Sequence, residues 1–187
     1  MRVFIVATIF LIIGVLVVSL VSKSRTRAGF ATFAGAIAEM GLVSVRGARP
    51  AAALSIAAEF VVLALLAWPA GAVPGLAAAT VLFAGFTIAL TVAVRRGSNA
   101  GCHCFGASSS PVARRHVFRA AGLCAVSAAA FGAAAVSSAV PLAGIGAAQA
   151  LIAVAVAGIG VAALVWLDVL AWLLRGPAST RVSRSRM

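Results

Sequence analysis

Acidic residues are almost missing from this chain of 187 residues, which has only three of them: Glu39, Glu59 and Asp168. A soluble domain needs far more charge to keep its surface hydrated. Hydrophobic residues make up 64% of the chain, and apolar runs of about twenty residues recur along its whole length, as expected of helices that cross a bilayer. The composition therefore predicts one membrane domain, with no room for a separate soluble domain.

Cysteine and lysine are also scarce. Three cysteines are an odd number and too few for a disulfide scaffold, so each is interpreted from its own surroundings. Lys23 is the only lysine among fifteen basic residues. The net charge of +12 does not predict nucleic-acid binding, because the arginines lie between the apolar runs, where they contact anionic lipid and determine topology.

The predicted fold class is all-α, a polytopic transmembrane helix bundle that forms a single domain over residues 1–174. Its spans are predicted at residues 3–22, 51–68, 74–94, 115–140 and 148–174. The first run is long for a signal peptide and no small-residue cleavage site follows it, so we expect it to be retained. Pro50 is predicted to open the second span.

Three segments outside the spans complete the predicted layout. Residues 28–45 are flanked by arginines at both ends and are predicted to form an interfacial helix. Residues 95–113 form a polar loop that contains two cysteines, and Ser110-Pro111 within it has the pattern of a helix start. The tail 175–187 is basic and rich in serine, which is typical of a disordered segment.

Basic residues are distributed unequally between the two ends of the predicted helices. One end receives Lys23 and nearly all the arginines, whereas the other receives Arg2, the α-amino group and turns without charge. The positive-inside rule places the basic end in the cytoplasm. We therefore predict a multi-pass cell-membrane protein whose N-terminus is outside and whose C-terminus and cysteine loop are on the cytoplasmic side.

The loop sequence GSNAGCHCFGASSSP contains Cys102 and Cys104, separated by His103. A closed zinc site needs about four ligands, and His116 is the only further obvious one, so no metal or cofactor is predicted. A redox pair is favoured because this spacing allows the Cα atoms to lie within the ~4.4–6.8 Å that a disulfide requires. The small ring is strained and easily reduced, and neighbouring arginines favour a thiolate. The alternative is two inert thiols in a connecting loop.

Glu59 is the second unusual residue. It lies nine positions after Pro50, so it is roughly 13 Å into the bilayer at a rise of 1.5 Å per residue. An acid at that depth is costly and marks a functional site by default. Two roles are open: a proton acceptor for thiol chemistry, or a structural group that pairs with an arginine or with another helix. Hydroxyl groups on the same and the next helix are candidate polar partners for Glu59, although such residues more often serve packing. They belong to Ser55, Thr80, Thr87 and Thr91.

The remaining polar positions have simpler interpretations. Cys124 lies among alanines and is predicted to be a small buried hydrophobe. Asp168 is predicted to pair with an arginine near the end of its helix, such as Arg119 or Arg175. His103 either tunes the neighbouring thiols or faces water, and His116 is interpreted as an ordinary interfacial residue.

This layout resembles the methylamine utilisation protein MauE family, which is related to the DoxX-like membrane proteins. The most specific element is Cys-x-Cys-Phe-Gly, here Cys102-His103-Cys104-Phe105-Gly106. The other matching elements are Ser22-Lys23, Glu59, Arg96-Gly97 and His116-Val117-Phe118-Arg119. The resemblance covers roughly residues 3 to 140. Ala120 departs from the family pattern, in which an Asn commonly follows the Arg. This departure weakens the case that Arg119 belongs to a complete site.

The resemblance implies a four-helix DoxX/MauE-like core, to which the fifth span is added, and a role in thiol–disulfide exchange with a thioredoxin-fold partner. Cys102 and Cys104 would be the redox pair and Glu59 a proton acceptor. The supporting residues would be His103, Phe105, Gly106, His116, Arg119 and Lys23. Two alternatives stay open: a scaffold without cysteine chemistry, and a quinone-coupled oxidoreductase, for which the sequence gives little support. Methylamine is not predicted as a substrate.

Overall fold

The computed structural model of the chain describes residues 1–41, 43–97, 114–137 and 146–175, with side chains as far as residue 163 except that of Pro69. Within these ranges the regular structure is entirely helical, which confirms the predicted fold class. The α-helices are α1 (Arg2–Ser24), α2 (Arg27–Glu39), α3 (Val45–Ala67), α4 (Ala72–Arg95), α5 (Arg114–Val136) and α6 (Ala147–Arg175). A short 3-10 helix, Pro69–Gly71, joins α3 to α4.

Four helices, α1, α3, α4 and α5, are long and apolar enough to cross a membrane. Each has 23 or 24 residues, or about 35 Å at 1.5 Å per residue, against about 30 Å of bilayer hydrocarbon. The chain is therefore a multi-pass membrane protein. The apolar part of α6 with described side chains, Ala147–Ala163, is shorter, so the fifth crossing stays a prediction.

Helix α1 is central and contacts every other α-helix, while α5 packs along α4, and α3 contacts both α2 and α4. The main core is made by aliphatic and aromatic side chains of α1, α3, α4 and α5, such as Ile5, Ile12, Leu76 and Phe83. A second cluster joins α2 to α3, α4 and α5 through Phe33, Ala52, Leu90 and Ala120. This second cluster lies at one end of the bundle. At that end α1 and α4 finish and α3 and α5 start, next to α2.

The link between α2 and α3 differs in detail from the prediction. Helix α2 ends at Glu39, and α3 begins at Val45 rather than at Pro50, because the Ser44 hydroxyl accepts a hydrogen bond from Gly47 N and caps the helix. Pro50 consequently lies inside α3. Its missing N–H leaves a backbone carbonyl unpaired in an exposed turn, where water can solvate it.

Candidate functional site

A lysine and a glutamate form a buried ion pair between α1 and α3. Lys23 Nζ donates to Glu59 Oε1 at 2.5 Å, and the two side chains are 1% and 0% exposed. Lys23 occupies the last turn of α1, where its stem reaches back into the bundle. Two charges so completely removed from water are maintained only where each has good partners.

Two phenylalanine rings complete the surroundings of the ammonium group. Lys23 Nζ lies 4.4 Å from the centroid of the Phe33 ring and 5.4 Å from that of Phe86. Both distances are within the ~6 Å range of cation–π attraction. Phe33 belongs to α2 and Phe86 to α4. The Lys23 site, by which we mean Lys23, Glu59, Phe33 and Phe86, therefore connects four helices.

Buried polar atoms without a hydrogen-bond partner among the residues that the structure describes include Glu59 Oε2, Ser55 Oγ and His116 Nδ1. Ser55 lies one turn before Glu59 on the same face of α3. The other ring nitrogen of His116 accepts a hydrogen bond from Arg115 Nε at 3.4 Å. Buried polar atoms usually find a partner in protein, water or ligand, so these atoms are available to one.

The start of α5 lies at the same end of the bundle as the Lys23 site. His116 is 1% exposed, and one turn later Ala120 packs in the cluster that contains both phenylalanine rings. At this end Arg96, which follows α4, donates from Nη1 to the carbonyl oxygen of Gly41 at 2.6 Å. The segment 98–113, which contains the Cys-x-Cys pair, therefore joins the bundle at the end that holds the Lys23 site.

The sequence matches the family model described as methylamine utilisation protein MauE over residues 1–135. The chain belongs to the MauE family. The matched region contains every residue of the Lys23 site and ends within the last turn of α5, so α6 lies outside it. Comparisons with curated proteins and with solved structures gave no match.

In this MauE-family chain the structure brings together Glu59 and Lys23, two of the residues predicted from sequence. The partner of Glu59 is thus a lysine and not an arginine. His116 and Arg119 lie on the first turns of α5, and Arg119 is half-buried. Cys102, His103, Cys104, Phe105 and Gly106 lie outside the described residues, as does the side chain of Asp168, so these predictions are untested.

The threonines of α4 do not serve as polar counterparts of Glu59. Each hydroxyl donates to a carbonyl oxygen of its own helix, with distances of 2.6 to 2.8 Å for Thr80, Thr87 and Thr91. Cys124 is partly buried against the main core and its Sγ lies 3.6 Å from the carbonyl oxygen of Thr80. This placement agrees with its interpretation as a small hydrophobic side chain.

Sequence reasoning did not identify Phe33 and Phe86 as part of the site. Aromatic residues at apolar positions of helices resemble ordinary core residues, and nothing local distinguishes them. One available indication was the use of a single lysine in a chain that otherwise uses arginine. In the described ranges no three His, Cys, Asp or Glu side chains come together to hold a metal ion.

Proposed function

We propose that this protein is a membrane component of thiol–disulfide exchange, in which Cys102 and Cys104 cycle between a dithiol and a disulfide. The observation that carries the proposal is the buried Lys23–Glu59 pair at the end of the bundle where the Cys-x-Cys segment is attached. Ionisable groups buried in membrane helices are rare and usually functional. Membership of the MauE family supports the same direction.

The exchange balances without a cofactor. A thiolate of the pair attacks one sulfur of the partner's disulfide, and the partner's other sulfur leaves as a thiolate. The second cysteine then attacks the mixed disulfide, so that two electrons pass to the partner, which becomes a dithiol. The two thiol protons of the Cys pair end on the partner's sulfurs. The same steps run in reverse when the partner is the reductant.

Glu59 is proposed as the group that carries a proton between these sulfurs. Its Oε1 is occupied by Lys23, whereas Oε2 is buried without a partner in the described structure. Lys23 has a positioning role, because its ammonium group holds the carboxylate at one oxygen. His116, Arg119, His103, Phe105 and Gly106 are proposed as supporting residues around the sulfur pair.

The proposed partner is a thioredoxin-fold protein, and the proposed location is the cell membrane with the Cys pair facing the cytoplasm. The excess of basic residues at that end supports this orientation. Labelling of intact cells with an impermeant maleimide tests it: Cys102 and Cys104 should react only after the membrane is permeabilised. Reaction from outside would overturn the orientation.

The redox proposal is tested by acid-quenching cells, alkylating their thiols and analysing the protein by mass spectrometry. A fraction of the wild-type protein should contain Cys102 linked to Cys104, and Cys104→Ser should accumulate a mixed disulfide at Cys102. Cys124→Ser is the matched control and should behave like the wild type. If Cys102 and Cys104 are never linked, to each other or to another thiol, the proposal fails.

A second function, an assembly scaffold, is favoured by one observation: the Lys23 site joins four helices and could serve structure alone. The two functions differ in the Cys102→Ala/Cys104→Ala variant. A scaffold predicts full complementation of a deletion strain by this variant, whereas thiol–disulfide exchange predicts none.

A further inference from the structure

An open groove of about 990 Å³ lies on the surface of the bundle between α1, α2 and α3. Its walls are mainly apolar, with Val17 and Val21 from α1, Phe30 from α2, and Ile56, Phe60 and Leu63 from α3. Several of these side chains are open to the surroundings, for example Phe60, which is 63% exposed. In a membrane protein such a face is in contact with lipid.

The basic end of the groove has two guanidinium groups on different helices, Arg27 of α2 and Arg49 of α3. Both residues are exposed, and the ion pair found in the described structure involves neither of them. Ser24 and Thr26 line the same end. Because the chain has only three acidic residues, an anionic group that binds these two positive charges would come from outside the protein.

The length of the groove matches one leaflet of a bilayer. From Arg49 to Leu63 along α3 the distance is roughly 21 Å at 1.5 Å per residue, and half of a bilayer's hydrocarbon is about 15 Å thick. With the arginines at head-group depth, the apolar walls therefore extend through the hydrocarbon of a single leaflet.

We propose that the groove binds an anionic phospholipid, with its phosphate between Arg27 and Arg49 and one acyl chain along α1 and α3. Guanidinium groups bind phosphate oxygens in a bidentate geometry, and basic residues near a membrane surface gain affinity for anionic head groups. Since α2 forms one wall of the groove and also supplies Phe33 to the Lys23 site, a bound lipid would hold α2 against its neighbours.

Native mass spectrometry of the detergent-solubilised protein tests this with two probes of identical acyl chains, phosphatidylglycerol and phosphatidylcholine. The wild type should retain phosphatidylglycerol preferentially. Arg27→Gln/Arg49→Gln should weaken its binding roughly tenfold or more. The matched control is Arg25→Gln/Arg46→Gln, which removes the same charge from exposed positions at the same end, outside the groove, and should have little effect.

A second pair of variants tests the apolar part. Ala57→Trp fills the groove and should displace the lipid, whereas Leu54→Trp, at an exposed position outside it, should not. Equal losses from the two arginine pairs would show unspecific attraction and overturn the proposal. Equal retention of the two lipids would do the same. If Ala57→Trp abolished a dimer without changing lipid retention, the groove would be an interface between copies.

Discussion

Removal of the Lys23 ammonium by Lys23→Met should destabilise the protein strongly. The pair is 1% and 0% exposed, so the estimate for buried pairs applies, about 3–5 kcal/mol for the loss of one partner, and not the ~0–1 kcal/mol of a surface pair. The phenylalanine rings at 4.4 and 5.4 Å lose a cation as well, which adds roughly 0.5–2 kcal/mol.

The variant Lys23→Met/Glu59→Leu separates the cost of an unpaired charge from the value of the pair. Replacing a buried ion pair by apolar side chains of similar volume is often neutral or stabilising. The double variant should therefore be more stable than Lys23→Met alone, by about 3–5 kcal/mol, although it carries one more substitution.

The free energy of unfolding in mixed micelles, followed by circular dichroism, measures both effects. Arg25→Met is the control, since Arg25 is exposed two positions away and its loss should change stability little. If the effects of Lys23→Met and Glu59→Leu simply add, or if Lys23→Met costs less than about 1 kcal/mol, the two groups are not coupled as the structure has them. If Lys23→Met/Glu59→Leu is stable, the same variant also tests whether the proposed exchange at the cysteines needs Glu59.

Of three further predictions, two use the same unfolding measurement and the third adds the rate of disulfide exchange. Gly75→Ala should cost about 1–3 kcal/mol, because its Cβ would lie 2.7 Å from the Leu66 side chain and 3.1 Å from the Leu66 backbone nitrogen in α3. Gly158→Ala, with nothing within 4 Å, should not destabilise, and equal effects would argue against the close α3–α4 contact. Gly71→Ala should destabilise the protein, because its Cβ would collide with the α3 backbone. Gly85→Ala, in open space, should stabilise it by up to ~1 kcal/mol. No change in stability for Gly71→Ala would contradict the tight turn between α3 and α4. Lys23→Arg should keep most of the stability but slow the proposed disulfide exchange, and an unchanged rate of exchange would exclude a role for the second carboxylate oxygen.

The helical fold could be predicted from sequence because each span is a local property, an apolar run long enough for the bilayer. The start of α3 was misplaced because Pro50 is a strong local indication of a helix start, whereas the decisive hydrogen bond is made by Ser44. Sequence analysis identified Glu59 through the cost of an acid at membrane depth. Its partner is 36 positions away, a distance that helical periodicity does not bridge.

The Cys-x-Cys motif was also identified from its residues, since polar, glycine-flanked thiols are unusual between apolar runs. What such a motif needs around it depends on tertiary contacts. The rings of Phe33 and Phe86 meet one ammonium group only because α2 and α4 pack against α1. The local sequence around each aromatic residue does not predict that the two rings contact the same lysine.

The choice of lysine at position 23 follows from the geometry of the site. Among the arginines and the lysine whose side chains the structure describes, only Lys23 is buried. Apart from the histidines, every other basic residue of the chain is an arginine. A planar guanidinium tends to occupy both oxygens of a carboxylate, whereas an ammonium group is a compact charge that here binds Oε1 and fits between two rings. Either side chain would join the helices. Among the residues that the structure describes, the lysine leaves Oε2 of Glu59 without a hydrogen-bond partner, and the proposed proton transfer would use that oxygen.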